Sequence, residues 1–274
     1  DHILRARRLE CGFYGALTIM EGVFVEKVDL GEIVHLLYSN KELLKSPLVI
    51  ICHGWNNDKY EGSNLALNLA LQGYSVICFD SDSHGERNDG NAQSMDSHSR
   101  FIKRVTLVIK QNANDIDTLI KHYQEDIRID PSRIALVGIS MGALSTFYSL
   151  TQNNQIKVAV PILGSPDFVG LEKFALKADS DSKTFNEDEK LAIRYMKEID
   201  PCLYLLENES RPMLIINGER DDWVPAKFAK DFFEKVKSKY DKNNTEIAFN
   251  LADESHYFSN DMRDHTICWL NKHL

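Results

Sequence analysis

Apolar positions change their rhythm near residue 47. Before it, two short alternating runs, 23–28 and 32–38, flank Asp29-Leu30-Gly31. Alternation with a period of two on both sides of a glycine turn predicts an antiparallel hairpin. From there Pro47-Leu48-Val49-Ile50-Ile51-Cys52 is an unbroken apolar run, the pattern of a strand covered on both faces. Residues 65–71 predict a helix ended by Gln72-Gly73, and 74–79 a further strand. A polar, glycine-containing loop follows from Asp80 to about Asp96. Beyond it Phe101, Val105, Val108, Ile116, Leu119, Ile120 and Tyr123 recur every three or four positions, which predicts helix, with a break expected near Asn112-Ala113-Asn114. A strand at 133–137, a helix through Leu150, strands at 156–163 and 213–217, a helix at 226–239, a strand at 246–251 and a final helix at 260–274 complete the series.

Strand and helix alternate from Pro47 onward. That order predicts an α/β protein with a mostly parallel sheet, helices on both faces, and the N-terminal antiparallel hairpin at one edge. Residues 166–211 interrupt the alternation with a charged stretch, helix-like at 187–197, that is too long for a simple connection. The expectation is a small helical cap, carried as an insertion at about 166–211 by a single domain spanning 1–274. No internal repeat or low-complexity linker divides the chain.

Composition narrows the partners. At 43% hydrophobic and 27% charged residues the chain has ordinary globular chemistry. A net charge of −9 disfavours nucleic acid, whose phosphates are bound by clustered Lys and Arg, and the short basic group Arg5, Arg7 and Arg8 does not change this. No apolar run approaches the roughly 20 residues that span a bilayer, and the first thirty residues show no secretory signal pattern. A cytoplasmic protein without membrane partner is expected. The five cysteines, Cys11, Cys52, Cys78, Cys202 and Cys268, include no C-x-x-C pair, and Cys52 and Cys78 fall in strand-like runs as small buried apolar residues.

The candidate chemistry sits after strands. Gly138-Ile139-Ser140-Met141-Gly142 fits G-x-S-x-G, in which a sharp turn between strand and helix exposes a serine hydroxyl. Asp221 and Asp222 follow the strand at 213–217, and His256 follows the strand at 246–251. A serine hydroxyl is a weak nucleophile until a neutral imidazole takes its proton, and a carboxylate must hold that imidazole in the right tautomer. Ser, Asp and His in this chain order, each behind its own strand, suit that mechanism. An oxyanion also needs two backbone N–H donors. Met141, after the serine, offers one, and Trp55 in "CHGWNN" offers the other. Asp222 and Asp167 compete with Asp221, and His265 and His273 in the final helix compete with His256. Asp80, Asp82 and Gly85 partly match a calcium loop, but His84 and Asn91 stand where carboxylate-rich positions should be, so no metal is assigned. Phosphate-loop, dinucleotide and H-E-x-x-H motifs do not occur, and no cofactor is expected.

These residues carry a resemblance. His53-Gly54-Trp55, "DSDSHGERNDG", "SRIALVGISMGA", "RPMLIINGERDDWVP" and the closing "ESH" make the chain, from about Ile33 onward, similar to α/β-hydrolase serine carboxylesterases of the branch that includes dienelactone hydrolases and prolyl-oligopeptidase-type peptidases. The family pattern G-x-x-D-x-x-V-P implies Asp221 as the acid, and His53 and His84 as structural residues beside the site. Dienelactone hydrolases use cysteine where this chain has Ser140, and no propeller domain fits before residue 33. The resemblance implies a serine hydrolase acting on short-acyl carboxylic esters, with a small-molecule ester as partner. Alternatives are a peptidase or amidase of short substrates, or a non-catalytic binding protein on the same fold.

Overall fold

A computed structural model describes residues 22–40, 43–88, 90, 97–178 and 184–274. Cys11, the Arg5 to Arg8 group and most of the far end of the 80–96 loop lie outside the described residues. The hairpin forms as β1 (Val23–Leu30) and β2 (Ile33–Asn40), with Gly31 at φ +63 in the turn, a left-handed conformation that glycine adopts without strain. Then follow β3 (Ser46–Cys52), α1 (Ser63–Ala70), β4 (Ser75–Phe79), α2 (His98–Tyr123), β5 (Ile129–Ile139), α3 (Met141–Gln152) and β6 (Val158–Ile162). After α4 (Phe168–Ala178), α5 (Glu187–Ile199) and α6 (Cys202–Asn208), the chain ends in β7 (Met213–Gly218), α7 (Ala226–Lys242), β8 (Ile247–Ala252) and α8 (Asn260–His273).

The strands form one eight-stranded sheet in the order β1-β2-β4-β3-β5-β6-β7-β8. β1 with β2 and β2 with β4 are antiparallel, and every other pair is parallel, so the hairpin extends one edge of a parallel sheet. This is the α/β-hydrolase architecture. Alternate side chains of one strand point to opposite faces, and the continuous apolar runs therefore feed two cores. Leu48, Ile50 and Cys52 pack with Ile116, Phe147 and Phe232 from α2, α3 and α7. Val49 and Ile51 pack with Leu65, Leu69, Met262 and Leu270 from α1 and α8.

Register puts the chemistry on one edge. Cys52 pairs with Gly138, Ile139 with Ile162, and Gly218 with Ala252, so β3, β5, β7 and β8 end side by side. The residues that follow those strands meet at the carboxyl edge of the sheet, where open α/β sheets bind their ligands.

The expected break in α2 does not occur. The helix runs unbroken over 26 residues, because Asn112 is buried and donates its side-chain amide to Ser145 Oγ of α3 at 2.9 Å. The long connection between β6 and β7 is helical as expected, and its parts face differently. Phe168 of α4 and Ala192 and Met196 of α5 close a third apolar cluster on Ile102, Val105 and Ile109 of α2. α6 returns to the main layer, with Leu205 in the core against α7.

Candidate active site

Ser140 stands between β5 and α3 with φ 53 and ψ −112, a conformation that costs a non-glycine residue energy and that surrounding contacts must impose. Its amide donates to the Ile162 carbonyl at 2.9 Å, and its carbonyl accepts from the Ala143 and Leu144 amides at 2.8 and 3.1 Å. The two glycines of the motif serve close packing. A Cβ on Gly138 would run into the Gly142 carbonyl, and one on Gly142 into the carbonyl of Cys52, so α3 lies against β3 and β5 at backbone distance.

The loop after β7 brings Asp221 and the loop after β8 brings His256. His256 Nε2 lies 2.7 Å from Ser140 Oγ, and His256 Nδ1 donates to Asp221 Oδ2 at 2.7 Å. Asp221 is 4% exposed, and its other oxygen accepts the amides of Trp223 and Val224 at 3.0 and 2.9 Å, so the carboxylate is held from both sides. Asp222 points outward as an exposed residue, and Asp167 accepts the Gly170 amide at the start of α4. His265 binds the Asp261 carbonyl within α8, and His273 contacts Glu246. Among the candidates, only Asp221 and His256 join Ser140. The Trp223 ring stacks on His256 with centroids 5.6 Å apart and an interplanar angle of 22°.

The loop after β3 is fixed by charge. The Gly54 amide donates to Glu61 Oε2 at 2.6 Å, and Asn57 donates to Glu61 Oε1 at 2.6 Å. Gly54 lies close against Ser140, and Trp55 beside it lines the same cavity as the serine. Burial raises the Glu61 pKa, against the lowering pull of the Gly54 amide. Under this loop His53 donates from Nδ1 to the Gly54 carbonyl at 2.7 Å and accepts the Ser81 amide on Nε2 at 3.0 Å. The His84 ring meets Trp55 edge-on at 4.8 Å, and Trp55 meets Phe101 at 5.2 Å. Lys59, only 1% exposed, donates to Asp80 at 2.7 Å and reaches Glu86 at 2.8 Å. Asp80 also accepts the amides of Lys59 and Glu86 at 2.8 and 2.9 Å, so its oxygens are spent within the protein. Among the described residues, no group of three or more His, Cys, Asp or Glu could hold a metal ion, and no helix is long and apolar enough to cross a membrane.

A cavity of about 670 Å³ opens on Ser140 and His256. Its wall combines Trp55 and Glu61 of the β3 loop, Phe101, Ile102 and Val105 of α2, Met141 and Leu144 of α3, and Phe168, Leu171 and Glu172 of α4. The arrangement places an apolar, aromatic-rich chamber next to a serine hydroxyl held by an imidazole. Glu61, Glu172 and Trp223 have no sequence signature and enter only with the fold.

Comparisons with known proteins bear on the family and the fold. The chain is 28% identical over 229 residues to YitV of Bacillus subtilis, covering 81% of this chain and 86% of that one. It is 26% identical to the esterase YjfP of Escherichia coli, covering 66% of this chain and 70% of that one. Among solved structures, an acetyl xylan esterase from Paenibacillus sp. R4 superposes with a TM-score of 0.71 at 14% identity, over 92% of this chain and 89% of that one, which speaks for the fold. The sequence pattern of the prolyl oligopeptidase family matches residues 74–273. With that match over most of its length, the chain belongs to the prolyl oligopeptidase family, and it is a serine hydrolase with an α/β-hydrolase fold.

Proposed function

We propose that this protein cleaves short-acyl carboxylic esters through an acyl-enzyme on Ser140. The observation that carries the reading is the pair of 2.7 Å contacts linking Ser140, His256 and Asp221 beside an apolar cavity. Ser140 Oγ attacks the ester carbonyl while His256 Nε2 takes its proton, and the carbonyl electrons move onto oxygen. The amides of Met141 and Trp55 receive that oxyanion, helped by the N-terminal end of α3. The tetrahedral carbon then reforms its carbonyl, the C–O bond to the alcohol breaks, and His256 returns the proton to the departing oxygen. Water repeats the sequence on the acyl-serine and frees the acid. Asp221 keeps Nδ1 protonated throughout, so that Nε2 faces the serine. Helices α4 and α5 serve as a small cap that limits the acyl chain.

A second reading is favoured by the family itself, which is named for peptidases. The same groups could cleave an amide, whose nitrogen needs protonation before it leaves. Turnover of p-nitrophenyl acyl esters set against matched aminoacyl anilides separates the two. The primary test treats the protein with a fluorophosphonate probe and maps the adduct. Labelling of Ser140 that disappears in Ser140→Ala is the expected result. A folded protein that takes no label would reject the hydrolase mechanism in favour of a binding role.

A further inference from the structure

The cavity holds a carboxylate that the reaction does not require. Glu172 lines it from α4 and is 4% exposed, a degree of burial that a glutamate rarely reaches unless paired. One oxygen accepts from His98 Nε2 at 2.6 Å, and the second has no hydrogen-bond partner among the described residues. A buried carboxylate satisfied on one oxygen retains a strong acceptor and much of its negative field. Burial raises its pKa, and the contact with His98 at the head of α2 opposes that rise. Joining α4 to α2 would engage the oxygen that meets His98 and leaves the other without a use. The second glutamate on the wall, Glu61, spends both oxygens on Gly54 and Asn57. Among the described residues no Lys or Arg lines the cavity, whereas the rings of Trp55, Phe101 and Phe168 do. Aromatic faces favour a cation, and carboxylates facing no Lys or Arg across the cavity favour a cation and repel an anion.

We propose that this cavity selects esters carrying a protonated amino group, held by the Glu172 carboxylate with His98 behind it. The inference rests on the ester hydrolysis proposed above and names its substrate class. An ammonium group offers three donors to the open oxygen and cancels the charge of the wall. A hydroxyl would supply a hydrogen bond without that cancellation.

The test compares p-nitrophenyl esters of ω-amino acids with alkanoates, ω-hydroxy acids and half-esters of diacids, each over a range of chain lengths. In the wild type, kcat/KM for the best amino ester should exceed that of its methyl-ended counterpart by about tenfold or more, with the diacid half-ester slowest. In Glu172→Gln, which keeps the shape and an acceptor for His98, that ratio should collapse towards one. Equal rates for amino and alkyl esters in the wild type, an ω-hydroxy ester as good as the amino ester, or a ratio unchanged in the variant would each overturn the proposal. Should the variant fail to fold, the wild-type panel decides alone. A second readout does not need turnover: hexylammonium chloride should raise the melting temperature more than hexanol does. If no ester is hydrolysed but that difference holds, cation selection stands and the esterase reading falls. If both are missing, both fall.

Discussion

Acid should unfold this protein through a histidine that takes no part in the reaction. His53 is 1% exposed, donates to the Gly54 carbonyl and accepts the Ser81 amide, so both ring nitrogens are committed to the neutral form. Burial pushes its pKa down from 6.5 to about 4, with the neighbouring His84 adding to the fall and the Gly54 carbonyl opposing it. Well above pH 6.5 the ring is neutral in both folded and unfolded chains and this contribution to stability is complete. As pH falls from there, the unfolded chain binds a proton that the folded chain refuses until its own pKa of about 4, and stability is lost across that window. A shift of this size, at about 1.4 kcal/mol per unit, corresponds to about 3 kcal/mol between neutral pH and pH 4. Urea denaturation of the wild type and His53→Gln in steps across this range reads the effect directly. The glutamine oxygen can still accept from Ser81 but does not titrate. The wild type should therefore lose about 3 kcal/mol more than the variant on acidification. Stability curves that fall in parallel would refute the reasoning, because another group would then carry the acid sensitivity.

Other outcomes follow from the site. Asp221→Asn keeps an oxygen for the Trp223 and Val224 amides but presents the wrong partner to His256 Nδ1, so kcat on an ester should drop by about 10³- to 10⁴-fold while the melting temperature stays near the wild-type value. A loss of less than about tenfold would remove Asp221 from the orienting role. Gly142→Ala must push α3 away from the Cys52 carbonyl, with an expected loss of about 3 kcal/mol in urea denaturation. Wild-type stability in that variant would show that the helix can retreat freely.

Continuous apolar strands such as β3 were legible because burial on both faces leaves no polar position. The nucleophile turn was legible because two glycines and a serine at fixed spacing answer a local steric demand. Local chemistry left Asp221 and Asp222 both open, and only the spacing to Gly218 and Val224 in the family pattern pointed to Asp221; the fold buries Asp221 and exposes Asp222. The Asn112 region reads as a breaker on local propensity, yet its side-chain NH2 finds an acceptor on another helix, 33 residues away in sequence. Lys59, Glu61 and Glu172 look like surface charges in the sequence. Lys59 and Glu172 find their partners in other parts of the chain, and Glu61 finds its own across a folded loop, so only the assembled structure gives them roles.

The groups next to the reacting bond come from the ends of β5, β7 and β8, whereas Phe168, Leu171, Glu172 and Met196 reach the cavity from the segment inserted between β6 and β7. On the proposed function, bond breaking falls to the sheet edge, while the inserted segment supplies one wall of the chamber that meets the substrate. An exchange of α4 and α5 for another pair of helices meeting the same face of α2 would change what enters the chamber and leave the serine, imidazole and carboxylate where they stand. The sheet edge acts as a fixed tool, and the inserted helices as its interchangeable grip.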